Sequence, residues 1–301
     1  MCLIVNPAAG GGRAGRIAPA AERTLRAHGI ELRREDTRDL EHARELAAAA
    51  AAREEAVIAL GGDGLIGALA DALRHTPGSV LGVIPGGRGN DLARVLAIPT
   101  EPEAAAAIIA AGHTRPLDLG VVEDRAFVGI ASAGFDSDAN RIANEAPAWL
   151  GQLVYAYGAL RALIAWRPAR FELELDPPGE RRTYTGYTVG ACNSRAYGGG
   201  MLAAPDALLD DGQLEVTILE DLSRWAFLTR ILPKVFKGTH VHEPGVQVFR
   251  ARELLLSADR PFTMYADGDP IGELPVRVRA LPAAVAVLTP ADPNPAFVEH
   301  R

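Results

Sequence analysis

One arrangement, used three times, constrains this chain more than any other feature: an apolar run, a glycine-rich turn, then a helical pattern. Cys2-Leu3-Ile4-Val5 leads into Asn6-Pro7-Ala8-Ala9-Gly10-Gly11-Gly12-Arg13; Val57–Leu60 leads into Gly61-Gly62-Asp63-Gly64; Val80–Ile84 leads into Pro85-Gly86-Gly87-Arg88-Gly89-Asn90-Asp91. Helices are predicted over 16–27, 40–53 and 65–74, with a strand over 30–33 and another helix opening near Asn90. Apolar runs alternating with helical periods build a parallel sheet covered by helices. Ligands of such sheets bind outside the carboxyl ends of the strands, where all three turns fall.

The glycines let the backbone turn tightly and bring bare N–H groups towards an anion at a helix N-terminus. The first turn alone would serve equally as a turn and nothing more. In the second, Asp63 can hold a metal ion or accept a hydrogen bond from a substrate hydroxyl, or it caps the following helix. In the third, Asn90 or Asp91 would cap a helix. Arg88 either grips a phosphate with its planar fork or points at solvent.

Beyond about Asp118 short extended runs dominate, at 170–175, 184–190, 214–219, 247–250 and 285–288. This reads as a mainly β second domain. A chain of 301 residues, 48% hydrophobic, can support two cores. The expected boundaries are 1–118 and 119–301, with the proline-rich tail from Pro290 loose or packed back on the first domain. A net charge of −7 lacks the basic field that nucleic acid attracts. Cys2 and Cys192 suggest neither a disulfide framework nor a zinc site, which fits a reducing cytoplasm. The chain opens on a strand pattern without the features of a signal peptide. The segment from Trp149 to Trp166 is interrupted by Gln152 and Arg161, so a spanning helix of about 20 apolar residues is rejected. There Leu150, Val154, Tyr157, Arg161 and Ile164 recur at helical spacing. They describe an amphipathic helix that packs on the second domain or meets a membrane surface.

Further segments complete an ordered set: Gly134-Phe135-Asp136, Asn193, Gly198-Gly199-Gly200, Ala204-Pro205-Asp206-Ala207 leading to Asp210-Asp211-Gly212, and Asp267-Gly268-Asp269. From residue 6 to about residue 290, this set resembles the diacylglycerol kinase catalytic family, which includes sphingosine and ceramide kinases. The resemblance implies an α/β N-terminal domain with a parallel three-layer sheet of the NAD kinase and phosphofructokinase type. A mainly β sandwich domain follows, with the active site in the cleft between them. It implies ATP and Mg2+ as cofactors and a lipid substrate met at the membrane surface. It also implies a cytoplasmic protein, peripheral at the inner membrane face, and leaves a homodimer open. The activity implied is transfer of the γ-phosphoryl to a lipid hydroxyl, most readily that of diacylglycerol.

Residue by residue, the resemblance implies an ATP site at Asn6, Pro7, Gly10, Gly12, Gly61, Gly62, Asp63, Gly64, Gly87, Arg88, Gly89, Asn90 and Asp269. It offers two general bases, Asp267 and Asp63, of which Asp267 is preferred. Asp211, the carbonyl of Gln213, and Asp210 match a structural magnesium site, against which stands a simple Asp-Gly turn before a strand. Phosphoryl transfer asks a protein mainly to position two reactants and neutralise spreading charge, which such loops and acids would do. The sequence departs from the family pattern at Leu65, Gly67, Ala68, Arg88 and Asp269. Three rivals follow: a sphingoid-type lipid kinase, an enzyme like NAD kinase with its shared Gly-Gly-Asp-Gly loop, and a lipid- or nucleotide-binding relative without turnover.

Overall fold

A computed structural model describes residues 1–145, 154–292 and 294–298. The first part alternates as predicted: β1 (Cys2–Val5), α1 (Ala9–Ala27), β2 (Arg33–Asp36), α2 (Leu40–Ala51), β3 (Val57–Gly61), α3 (Asp63–Leu73), β4 (Val80–Pro85), α4 (Asp91–Val95) and α5 (Pro102–Ala111). β1, β3 and β4 are buried almost throughout, as strands covered on both faces must be. The alanines of α2 have a structural use: Ala43, Ala47, Ala50 and Ala51 form its buried stripe, and Asp39 caps its start by accepting from His42 N at 2.8 Å.

Two predictions shift. The strand read at 30–33 forms at Arg33–Asp36 instead, parallel to β1 in the register Cys2↔Arg33. This edge strand needs no apolar residues, because Arg33 pairs with Glu35 and Glu55, and Arg34 with Asp36 and Glu22. Ile30 and Leu32 pack at the margin of the core below it. The helix opening near Asn90 is a single short turn, and a separate α5 follows, started by Pro102 and ended by left-handed Gly112.

The remaining elements are β5 (Thr114–Val122), β6 (Arg125–Phe127), β7 (Ile130–Gly134), α6 (Phe135–Glu145), α7 (Val154–Ala165), β8 (Ala169–Leu175), β9 (Glu180–Cys192), β10 (Ala196–Tyr197), β11 (Met201–Leu202) and β12 (Leu214–Glu220). They continue with α8 (Arg224–Ala226), a π-helical turn over Phe227–Ile231, α9 (Leu232–Val235), β13 (Val246–Ala251), β14 (Glu253–Ala258), β15 (Thr263–Ala266), β16 (Asp269–Glu273) and β17 (Val276–Leu288). Strand order on the parallel side is β2-β1-β3-β4-β17, so the chain departs from β1 in both directions. The carboxyl ends of β1 and β3 flank that switch point, where open α/β sheets bind ligands.

The cores are two. One collects β1, β3, β4 and the helices around them; the other lies under β7, β8, β9, β12 and β14. β17 crosses between them, placing Val276 and Val278 in the second and Val285, Val287 and Leu288 in the first, where it joins β4. The tail packs on the first core through Ala296 and Phe297, with Asn294 Nδ2 donating to Val95 O at 2.9 Å.

α7 forms, and the part of its stripe that is described faces outward rather than onto the second domain. Ala162 and Leu163 are buried with Trp166, while Tyr157, Arg161 and Ile164 point outward. Leu150 lies outside the described residues. Among the described residues no helix is long and apolar enough to cross a membrane.

Candidate active site

The three glycine turns meet one another. A Cβ added to Gly87 would lie 2.4 Å from Gly62 Cα, and one added to Gly10, whose φ is +60°, would lie 2.4 Å from Gly86 O. The loops after β1, β3 and β4 are thus in backbone contact, which only glycine permits at these two positions. Arg13 adds a tie, donating to Pro85 O at 3.1 Å and Thr100 O at 2.9 Å. Asn90, left-handed at φ +53°, spends its whole amide on the third loop. Gly87 N donates to its Oδ1 at 2.8 Å, and its Nδ2 donates to Gly87 O at 3.0 Å.

Asp63 does cap a helix, but not the one it begins. α3 has no side-chain cap, whereas Asp63 Oδ1 accepts from Asp91 N at 2.7 Å and Leu92 N at 3.3 Å at the start of α4. Burial raises the Asp63 carboxyl above the usual carboxylate range, and the charge of Asp91 adds to this, against the pull of those N–H groups. Asp91, buried, carries the connection into the second domain: Oδ1 accepts from Arg94 at 2.6 Å and Oδ2 from Gly199 N at 2.9 Å.

Asp267 is placed by its own dipeptide. Asp267-Gly268 is a two-residue hairpin loop between β15 and β16, and both residues have positive φ, +51° and +96°. Asp-Gly is the pair that such tight hairpins favour. β15 pairs with β7, which lays the turn over the chain entering β7. There Asp267 Oδ2 accepts from Val128 N at 2.9 Å, and Oδ1 accepts from Gly129 N at 2.9 Å and Ile130 N at 3.2 Å. Burial pushes the carboxyl up to about 6, helped by the nearby charge of Asp63 and opposed by the three N–H donors. Asn193 fixes this stretch from behind, since its Nδ2 donates to Asp118 O and Val128 O and its N–H to Gly129 O, each at 2.9 Å.

These groups border a cavity of about 390 Å3 lined by Asp63, Arg88, Gly89, Asp91, Asp267 and Gly199, among others. Of the residues predicted for the site, Asp63, Arg88, Gly89 and Asp267 line it. Asn6, Pro7, Gly10, Gly12, Gly61, Gly62, Gly64, Gly87 and Asn90 build the loops that frame it. Asp269 is exposed, with Oδ2 3.8 Å from where a Cβ on Gly64 would be. Tyr197 and Gly198 also line a second cavity of about 540 Å3, whose walls include Phe135, Leu163, Ile218, Phe227, Ile231 and Val235. One carboxylate faces this apolar space. Asp136 accepts from Thr188 Oγ1 at 3.3 Å, and burial pushes its carboxyl up to about 6.

Asp210, Asp211 and Gln213 lie on the turn that leads into β12. Asp210 Oδ1 accepts from Val298 N at 2.6 Å and Oδ2 from Arg115 at 3.3 Å, so both oxygens are engaged. Asp211 Oδ1 accepts from Gln213 N at 3.0 Å across left-handed Gly212, which is the geometry of a turn. Among the described residues no group of three or more His, Cys, Asp or Glu could hold a metal. Of the acids around the polar cavity, Asp63 offers a hard oxygen donor suited to Mg2+, whose shell phosphate oxygens and water would have to complete.

Sequence reading missed Asp91 as the link between domains, Asn193 as the brace behind Asp267, and the apolar cavity. Asp91 and Asn193 stand inside quoted motifs, and their roles appear only in the hydrogen bonds.

Residues 1–122 match the diacylglycerol kinase catalytic domain, and residues 129–289 match the YegS C-terminal NAD kinase beta sandwich-like domain. The chain is 37% identical over 297 residues to a diacylglycerol kinase of Mycobacterium tuberculosis, covering 95% of this chain and 94% of that one. It is 31% identical over 230 residues to a diacylglycerol kinase of Bacillus subtilis, covering 75% of each. A crystal structure of a diacylglycerol kinase from Bacillus anthracis superposes with a TM-score of 0.76 over 96% of both chains at 21% identity.

Proposed function

Because this chain belongs to the diacylglycerol kinase family and is a lipid kinase, we propose that it transfers the γ-phosphoryl of ATP to the hydroxyl of a diacylglycerol, making a phosphatidic acid. The observation that carries the reading is that two cavities lie side by side and share Tyr197 and Gly198 as lining. One is edged by glycine turns and aspartates and the other is apolar, and an amphiphile with a reacting hydroxyl has that same division. A soluble dinucleotide would find no use for the apolar walls.

Backbone N–H groups of the loops at Gly10–Gly12, Gly62–Gly64 and Gly87–Gly89 meet the phosphates, and Arg88, exposed at the cavity rim, adds a charge-assisted contact. Asp63 holds α4 and its loop in place, and its carboxylate would hold the Mg2+ that neutralises phosphate charge. Asp267, held rigidly by Val128, Gly129 and Ile130, takes the proton of the acceptor hydroxyl as that oxygen bonds to the transferring phosphorus and the bond to the diphosphate leaving group breaks. A carboxyl raised to about 6 is a stronger base than an ordinary aspartate and is still ionised at neutral pH.

A second reading has one observation in its favour. Asp136 puts a carboxylate in the apolar cavity, where the amine of a sphingoid lipid would meet an opposite charge. Incubation with γ-labelled ATP and Mg2+ against diacylglycerol, sphingosine and NAD separates the readings. Label in phosphatidic acid supports the first and label in a phosphorylated sphingoid the second. Label confined to NAD, or to no acceptor, overturns both.

A further inference from the structure

One polar atom in the wall of the polar cavity is left over. Ser194 lines that cavity together with Asp267 and is only 2% exposed, yet its Oγ has no hydrogen-bond partner. Among the described residues that line the cavity, no other has a buried side-chain nitrogen or oxygen in this state. Its backbone is fully engaged, since Ser194 N donates to Gly129 O at 3.1 Å. A hydroxyl that has given up water without gaining a partner weakens the fold, so its place in a cavity wall calls for a partner that arrives with the ligand.

The chain fixes where this hydroxyl stands. Gly129, which accepts from Ser194 N, donates its own N–H to Asp267 Oδ1 at 2.9 Å, so a single residue separates Ser194 from the carboxylate. In the other direction Ala196, Tyr197 and Gly198 continue the wall, and Tyr197 and Gly198 also line the apolar cavity. Three residues of chain reach about 10 Å at most. Ser194 therefore lies between the proposed base and the apolar cavity. Its wall belongs to the second domain, whereas the glycine turns that would meet phosphates belong to the first.

A diacylglycerol carries its groups in the same order: the reacting hydroxyl, an ester carbonyl on the neighbouring carbon, then the acyl chain. An ester carbonyl can only accept, and the Ser194 proton is uncommitted, so the two complement each other. We infer that Ser194 is a specificity-determining residue whose hydroxyl donates to the ester carbonyl beside the reacting hydroxyl, so that the site selects acylglycerols over lipids without a carbonyl at that place. The same bond turns the glycerol so that its free hydroxyl faces Asp267. The inference takes its acceptor from the lipid kinase reading, but recognition of the ester is measurable by binding without turnover.

The test compares dioctanoylglycerol, a diester, with dioctylglycerol, the matching diether, on the full chain. Parent protein, Ser194→Ala and Ser194→Cys are used, the thiol filling the same space as a weak donor. The parent should prefer the diester roughly three- to tenfold in kcat/KM, the yield of one hydrogen bond, and by a similar factor in displacing a fluorescent acyl probe. In both variants this preference should vanish through a loss with the diester alone, while KM for ATP and the melting temperature of the free protein stay as they were. Equal affinity of the parent for the two lipids, or a preference that either variant keeps in full, overturns the inference. So does a loss shared by diester and diether with a raised KM for ATP, because the hydroxyl would then serve a phosphate. A lowered melting temperature of Ser194→Ala also overturns it, by making the hydroxyl a structural tie. If the binding preference disappears as expected but neither lipid is phosphorylated with ATP and Mg2+, recognition of the ester stands and the proposed reaction fails.

Discussion

Asp267 offers the sharpest perturbation. Its carboxyl is raised to about 6 by burial, with Asp63 adding repulsion. If it accepts the proton of the lipid hydroxyl, kcat/KM with saturating ATP should rise with pH, reach half its plateau near 6, and fall about tenfold for each unit below. Replacement by asparagine removes the base and the acid limb together, and turnover should drop roughly 10²–10⁴-fold. The amide of Asp267→Asn must also turn one N–H towards the donors of Val128 or Gly129, which costs about 1–3 kcal/mol of stability. A melting curve therefore accompanies the assay. The carboxyl titrates higher in the folded state than the value near 3.9 of an unfolded aspartate, so its ionisation opposes folding. That contribution to stability is complete below about 3.9 and is lost as the pH rises through 6. Asp63→Asn separates the two acids. It should lower turnover by loosening α4 and, because the repulsion of its charge is lost, move the half-point somewhat below 6 while the acid limb persists. An acid limb that disappears in Asp63→Asn and persists in Asp267→Asn, or near-normal turnover by the latter, refutes the assignment.

Gly87→Ala should cost about 1–3 kcal/mol of stability, because the new methyl overlaps Gly62 Cα, and should raise the ATP concentration for half-saturation by roughly tenfold or more; calorimetry and initial rates measure the two effects. Arg88→Ala removes a charge-assisted contact of about 1.5–3 kcal/mol and should weaken ATP binding about 10–100-fold with little change in melting temperature. Arg115→Met strips a partner from buried Asp210 and a cation from 4.4 Å over the Phe297 ring. It should lower the melting temperature while sparing turnover, and millimolar Mg2+ without nucleotide should stabilise neither form. Ala203→Trp puts an indole into the apolar cavity and should depress kcat/KM for long-chain lipids by roughly tenfold or more while ATP affinity, followed by titration, stays unchanged.

The parallel half of the fold was legible because burial on both faces leaves continuous apolar runs such as Val57–Leu60, and because tight turns at strand ends require glycine. The site was legible at those turns and at Asp267-Gly268, where backbone conformation restricts residue choice to a few types. β2 was misplaced because an edge strand draws its stability from ladder bonds and the ion pairs of Arg33 and Arg34, which leave no apolar run to find. α7 left its buried face open for a related reason. Its inward face carries Ala162 and Leu163 and its outward face Leu160 and Ile164, so apolar residues stand on both and the pattern alone does not say which is covered. The partners of Asp210, Arg115 and Val298 N, were not legible because they stand far from it in the chain. The apolar cavity had no sequence signature at all, because its walls come from residues scattered between Phe135 and Val246.

The central claim is that a lipid lies in this cavity with its hydroxyl at Asp267. A diacylglycerol carrying a photoreactive group in one acyl chain, irradiated on the protein in the presence of a non-hydrolysable ATP analogue, tests it most directly. Mass spectrometry should find the label on Phe227, Ile231, Val235 or their neighbours around the cavity, and excess unlabelled diacylglycerol should displace it. Label confined to the first 118 residues, or spread over the surface and indifferent to competition, would contradict the account.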